Sequence, residues 1–166
     1  MREPSPEERL TIAEKPMLAP FSRILLCYDG TPEGQRALRC GAMLARQLQA
    51  ETHLLAVLDT ACWSKGFGVL ALMDFEVDAE EANKTLAEGI GKLRAWGVAA
   101  TGHAEVGDAV EHIARLADSI HADLIVVGHQ PQGVFARWLT GENHASLLDR
   151  VSCRVLFEVA DYSLAD

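Results

Sequence analysis

The sequence predicts an α/β fold: five parallel strands in a doubly wound, Rossmann-like sheet of order 3-2-1-4-5, with helices on both faces. Three observations carry this. Short apolar runs alternate almost throughout with segments of helical periodicity, and such alternation buries a parallel sheet between helical layers. The stretch Ala122-Asp-Leu-Ile-Val-Val-Gly128 is an apolar run entered by an acid and stopped at glycine, the way a strand buried on both faces ends. The first run closes on Asp29-Gly30-Thr31-Pro32, where proline suits the first turn of a following helix because its missing N–H would be unpaired there anyway.

Taken in order, residues 1–20 hold four prolines and several charges with weak periodicity; they read as an N-terminal arm whose order the sequence leaves open. The domain is expected over 21–160, with 161–166 as a C-terminal tail. Ile24–Tyr28 is the first strand. The helix after Pro32 carries Ala37, Gly41, Ala45 and Leu48 on one stripe, with Arg36, Arg39, Arg46 and Gln47 largely outside it. His53–Leu58 is the second strand. A long irregular segment over 59–76 follows, rich in Phe67, Leu70, Leu72, Met73 and Phe75. Ala79, Ala82, Leu86, Ile90 and Leu93 recur at helical intervals until Gly97. Val98, Ala100, Gly102, Ala104 and Val106 alternate as a weaker third strand. Gly107-Asp108 opens a helix with Val110, Ile113, Ala114, Ala117 and Ile120 inward, and acids at its start favour the macrodipole. Leu124–Val127 is the fourth strand, a short helix falls at about 143–150, and Arg154–Val159 is the fifth strand.

The 166 residues, 49% of them hydrophobic, suit one core. A net charge of −9 argues against nucleic acid or an anionic membrane as partner, since both draw on clustered Lys and Arg. No apolar run reaches the roughly 18–20 residues a bilayer requires, and the acidic, proline-bearing start is unlike a signal peptide. The four cysteines are scattered, which fits a reducing compartment. A cytoplasmic protein is the simplest expectation.

In open sheets of this order ligands sit beyond the strand C-termini, where strand order reverses. Two loops face that crevice, one starting at Asp29 and the other running Gly128–Gly133. Asp29 has the chemistry to accept from ribose hydroxyls or a base amine. Gly128 and Gly133 let backbone approach phosphate. Gly141-Glu142-Asn143, thirteen residues after Gly128, leads into the short helix, whose free N–H groups suit an anion. The same residues are equally consistent with Asx and glycine turns.

Other constellations carry less. Gly66-Phe-Gly-Val-Leu-Ala71 has dinucleotide spacing but follows the second strand in a long connection, the wrong context; a flexible apolar lid or partner patch is the plainer reading. Six histidines (53, 103, 112, 121, 129 and 144) form no ligand pattern, so no metal is expected. Cys27 has no base at motif spacing and reads as core. No catalytic residue is expected.

Five pieces resemble the universal stress protein family: Ile24-Leu-Leu-Cys-Tyr-Asp-Gly-Thr31, Gly107-Asp-Ala109, Ala122–Gly128, Arg137-Trp-Leu-Thr-Gly141 and Cys153-Arg-Val-Leu-Phe-Glu-Val159. They span about 21–160 in the family's order. The resemblance implies the same sheet order, a role in stress survival or regulation, and a homodimer formed by pairing fifth strands through Val155, Phe157 and Val159. It also implies that Asp29 lies where members hold the nucleoside and Val106 where members touch adenine through the backbone. Some members bind ATP through a glycine, two residues, a second glycine, nine residues, then glycine and Ser or Thr. Gly128 and Gly141 fit, but Pro131 stands for the second glycine and Glu142 for the hydroxyl residue. Proline lacks the N–H and fixes φ. A carboxylate about 4 Å from a phosphate charge repels it by ~4 kcal/mol at an effective dielectric of 20, before screening.

The expectation is therefore a binding or regulatory protein, not an enzyme, with no resident cofactor and no ATP in the usual family mode. A nucleotide (ATP/AMP)-binding switch or slow ATPase is one alternative, Gly133 restoring some loop freedom. A protein-interaction module acting through 59–76 is the other, with an unidentified protein as partner.

Overall fold

A computed structural model describes residues 21–59, 75–129 and 147–159. Its elements are β1 (Arg23–Tyr28), α1 (Pro32–Leu48), β2 (Glu51–Asp59), α2 (Phe75–Ala95), β3 (Thr101–Gly107), α3 (Ala109–Ser119), β4 (Leu124–His129), α4 (Leu147–Arg150) and β5 (Arg154–Val159). The five strands form one sheet in the order β3-β2-β1-β4-β5, every neighbouring pair parallel. This is the expected architecture.

β1 holds the centre because both of its faces are apolar. Ile24, Leu26 and Tyr28 point into a core with Leu38, Ala42, Leu54 and Leu93 beneath α1 and α2. Leu25 and Cys27 point the other way, towards Leu55, Ile113, Ile125, Val127 and Leu147 beneath α3 and α4. Strand side chains alternate between faces, so a run apolar at every position can only sit between two layers. Gly41 lets α1 settle on β1, since a Cβ there would run into Leu26.

The helix ends match their sequence signals. Thr31 caps α1, its Oγ1 accepting from Gly34 N at 3.0 Å, with Pro32 in the first turn. Asp108 caps α3 through Oδ1, which accepts from Glu111 N at 2.9 Å. Each such cap stabilises its helix by about 1 kcal/mol.

Two details differ from the expectation. Val98 and Ala100 precede the third strand and pack into the α1–α2 core, because the chain turns on Gly97 (φ 76°) and bonds back to Leu93 O through Val98 N before extending. Ala79 is exposed on α2, so the helical stripe there starts at Ala82. No helix among the described residues is long and apolar enough to cross a membrane.

The acid that enters the fourth strand has a structural task. One oxygen of Asp123 accepts from Ser22 N at 2.8 Å, Ser22 Oγ at 2.7 Å and Arg23 N at 2.8 Å. Asp123 N donates in return to Arg23 O at 2.9 Å. β4 is thereby fixed in register beside β1 by the residue that immediately precedes it. These donors hold the Asp123 carboxyl below its ordinary value, the Ser22 hydroxyl contributing most.

Candidate functional site

Parallel strands deliver all their C-termini to one end of the sheet, and β1 with β4 provide the central pair. The turn after β1 is self-contained. Asp29 Oδ1 accepts from Thr31 N at 3.0 Å and Thr31 Oγ1 at 2.6 Å, while Gly30 takes φ 78°. Thr31 then supplies acceptors to α1: its Oγ1 takes Gly34 N, and its carbonyl takes Gln35 N at 2.9 Å. Of the amides at the α1 start that lack a helical partner, those of Thr31 and Gly34 are therefore already bonded within the turn, and Pro32 has none. What the turn presents is a half-buried carboxylate, locked in orientation through one oxygen.

Gly128 lies across from that turn. A Cβ there would fall 2.7 Å from Glu33 O and 3.0 Å from Gly34 N, closer than packed atoms tolerate. A Cβ on Gly34 would in turn strike the Asp29 carboxylate. Two glycines thus let the end of β4 lie directly on the first turn of α1. The absence of a side chain at Gly128 brings backbone close to backbone.

Val106 lies at the end of β3, two strands away from β1. Its carbonyl is covered by His112, whose Nε2–H donates to it at 3.2 Å. That tautomer follows from the other ring nitrogen, which accepts from the Arg115 guanidinium at 2.8 Å. Glu105 completes the cluster, 3.4 Å from Arg115 and 3.4 Å from His112 Nδ1. Gly133, Gly141, Glu142 and Asn143 lie outside the described residues, as do Pro131, Trp138 and most of 59–76. The structure therefore brings Asp29 and Gly128 together and sets Val106 apart.

Sequence reading missed Gly34, His112 and the role of Thr31 as the hub of the β1 turn. Thr31 and Gly34 had a legible signal, a hydroxyl residue three positions before a backbone donor in a helix start. His112 had none, since it reaches a carbonyl six residues back across a strand-to-helix turn. Cys27 is buried; burial, then Asp29 nearby, pushes its thiol far above the ordinary range, which leaves it no nucleophilic character. No group of three or more metal-ligating side chains occurs among the described residues.

An open parallel sheet with helices on both faces, and an acidic turn beside a glycine at its central C-termini, defines an α/β domain of the doubly wound class. The universal stress protein family model matches residues 20–157, and the chain belongs to that family. A family protein from Burkholderia pseudomallei is 26% identical with a TM-score of 0.62, over 83% of this chain and 96% of that one. The universal stress protein from Archaeoglobus fulgidus in complex with dAMP is 20% identical with a TM-score of 0.60, over 81% and 95%. A family protein from Arabidopsis thaliana with AMP bound is 15% identical with a TM-score of 0.57, over 85% and 93%. Comparison with curated proteins gives no match.

Proposed function

We propose that this chain is a regulatory stress-response protein of the cytoplasm that acts by binding and not by turnover. In this reading its crevice takes an adenine nucleoside or nucleoside monophosphate in preference to ATP. The observation that carries the reading is the Asp29 turn. A carboxylate fixed in advance by Thr31 is suited to sugar hydroxyls or an amine, whereas two of the α1 start amides beside it, those of Thr31 and Gly34, are already bonded and Pro32 has none, which leaves less for a polyphosphate. Pro131 and Glu142 in the sequence point the same way, as does mononucleotide binding by the Archaeoglobus and Arabidopsis proteins.

Calorimetric titration of the full chain with AMP and with Mg-ATP tests this. AMP should bind the more tightly. Asp29→Asn, which keeps the acceptor for Thr31 but removes the charge, should weaken AMP by about tenfold or more, the loss of one charge-assisted hydrogen bond. Tighter binding of ATP overturns the preference, and no heat with either nucleotide overturns the nucleotide reading.

We also propose a homodimer paired along β5. β5 is an edge of the described sheet, Val159 is 57% exposed, and Val155 and Phe157 are half-buried on the same face. Arg154 and Glu158 are already engaged within the protomer, Arg154 over the Phe21 ring at 5.6 Å and Glu158 with the Cys40 thiol, so apolar burial and the open strand edge drive the pairing. Sedimentation equilibrium should return a dimer at micromolar concentration and a monomer for Val159→Glu. A monomeric parent chain refutes the pairing.

A further inference from the structure

β3 is fastened differently from the central strands. None of its seven residues is buried, and the side chains it turns towards α3 are polar. Two of its ties to neighbouring elements run through imidazoles. His103 Nε2 lies 3.1 Å from His53 Nδ1 on β2, with the ring centroids 5.4 Å apart and the planes 25° from parallel. His112 of α3 bonds the Val106 carbonyl as described above. On its far side His53 Nε2 lies 3.0 Å from Glu51 Oε1, and Arg23 Nε donates to the other oxygen, Glu51 Oε2, at 2.9 Å.

The donors in this row are fixed by its ends. A carboxylate only accepts, so His53 Nε2 carries a hydrogen. With both rings neutral, His53 Nδ1 is then bare and accepts the Nε2–H of His103. One added proton fits without breaking anything: it lands on His103 Nδ1, the hydrogen on His103 Nε2 passes to His53 Nδ1, and the contact persists with its direction reversed. The imidazolium so formed on His53 lies against Glu51. A second proton has only His103 Nε2 to occupy. Two N–H groups would then face each other between two cations, and the contact must open.

We infer that the Glu51–His53–His103 row is a proton-counting latch on the β3 edge, closed with no or one added proton and released by a second. The charged groups around it are Arg23 of β1, Glu51 of β2, Glu105 of β3 and, from α3, His112 and Arg115, both of which lie on Glu105. Protonation of His112 leaves its own tie intact, because Nε2–H still serves Val106 while Nδ1–H turns to Glu105. Release is therefore confined to the β3 half that contains His103. Burial first, then His53, holds His103 below its ordinary value of 6.5, with Glu105 opposing. A depressed value in the fold means that the unfolded chain takes the proton first. The stabilisation from this contact is whole above 6.5 and disappears as pH falls through the depressed value.

Long-range imidazole nitrogen NMR on the full chain, from neutral pH to about pH 4.5, reads both the tautomers and the proton count. Amide exchange, corrected for its intrinsic pH dependence, reads the strand. At neutral pH both rings should carry hydrogen on Nε2. Two separated proton uptakes should follow, and only the second should speed exchange along residues 101–104, by about tenfold, with β1 unchanged. His103→Gln keeps a donor to His53 but cannot titrate, so its β3 should stay protected in acid. Proton uptake by both rings in a single step, or β3 exchange indifferent to the second proton, overturns the latch. So does acid loosening that persists in His103→Gln.

Discussion

β1 and β3 are strands of one parallel sheet, separated by β2 alone, yet they are held by different physics. From Ile24 to Tyr28 no β1 residue is more than 3% exposed. β3 has no buried residue, and imidazoles, a carboxylate and a guanidinium hold its inner face. Burial of apolar area is indifferent to pH and salt to a first approximation, whereas hydrogen-bonded ionisable groups respond to both. The centre of this domain is built to be constant and its edge to be responsive.

The largest effect that tests the contrast is a cavity in the centre. Leu26→Ala should cost about 3 kcal/mol, because Leu26 is fully buried against α1. Val106→Ala on β3, where burial is partial, should cost under about 1 kcal/mol. Urea unfolding monitored by circular dichroism measures both, and equal losses would abolish the distinction. Next comes the β4–α1 contact. Gly128→Ala drives a methyl group into the Glu33 carbonyl and should cost about 2 kcal/mol. Gly91→Ala on α2 meets nothing within 4 Å and should stabilise by about 0.5–1 kcal/mol. Equal and small changes at both glycines would mean that the β4–α1 approach is looser than described. The smallest effect sharpens the exception within the constant centre, the Asp123 clamp. Its carboxyl is depressed in the fold, so its contribution exists above its ordinary 3.8 and vanishes as pH falls through the lowered value. Asp123→Asn should destabilise by about 1 kcal/mol at neutral pH. The gap between parent and variant should close in acid, and a gap constant with pH would leave the clamp no electrostatic part.

β1 and β4 were plain in the sequence because Ile24–Tyr28 and Leu124–Val127 are apolar at every position, and only a two-sided core satisfies that. β3 was read too early, from Val98 instead of Thr101, since Val98 and Ala100 continue the apolar alternation although they belong to the turn that follows Gly97. The site was half legible. Asp29 and Gly128 come together as the strand order requires, but the glycine's purpose depended on what faces it, and Glu33 and Gly34 are almost a hundred residues away in the chain. The imidazole row was invisible for the same reason. His53 and His103 stand fifty residues apart, with no spacing motif, and meet only through the β2–β3 register.

The Ser22–Asp123 clamp joins positions 101 residues apart. A ribosome that has released β1, α1 and β2 has therefore made the hydrophobic middle of the sheet with one flank uncovered, and it must add α2, β3 and α3 before the covering strand emerges. Until then the nascent domain exposes an apolar edge of the kind that chaperones bind and aggregates recruit. Truncation before Leu124 should thus yield insoluble product, not a smaller folded unit.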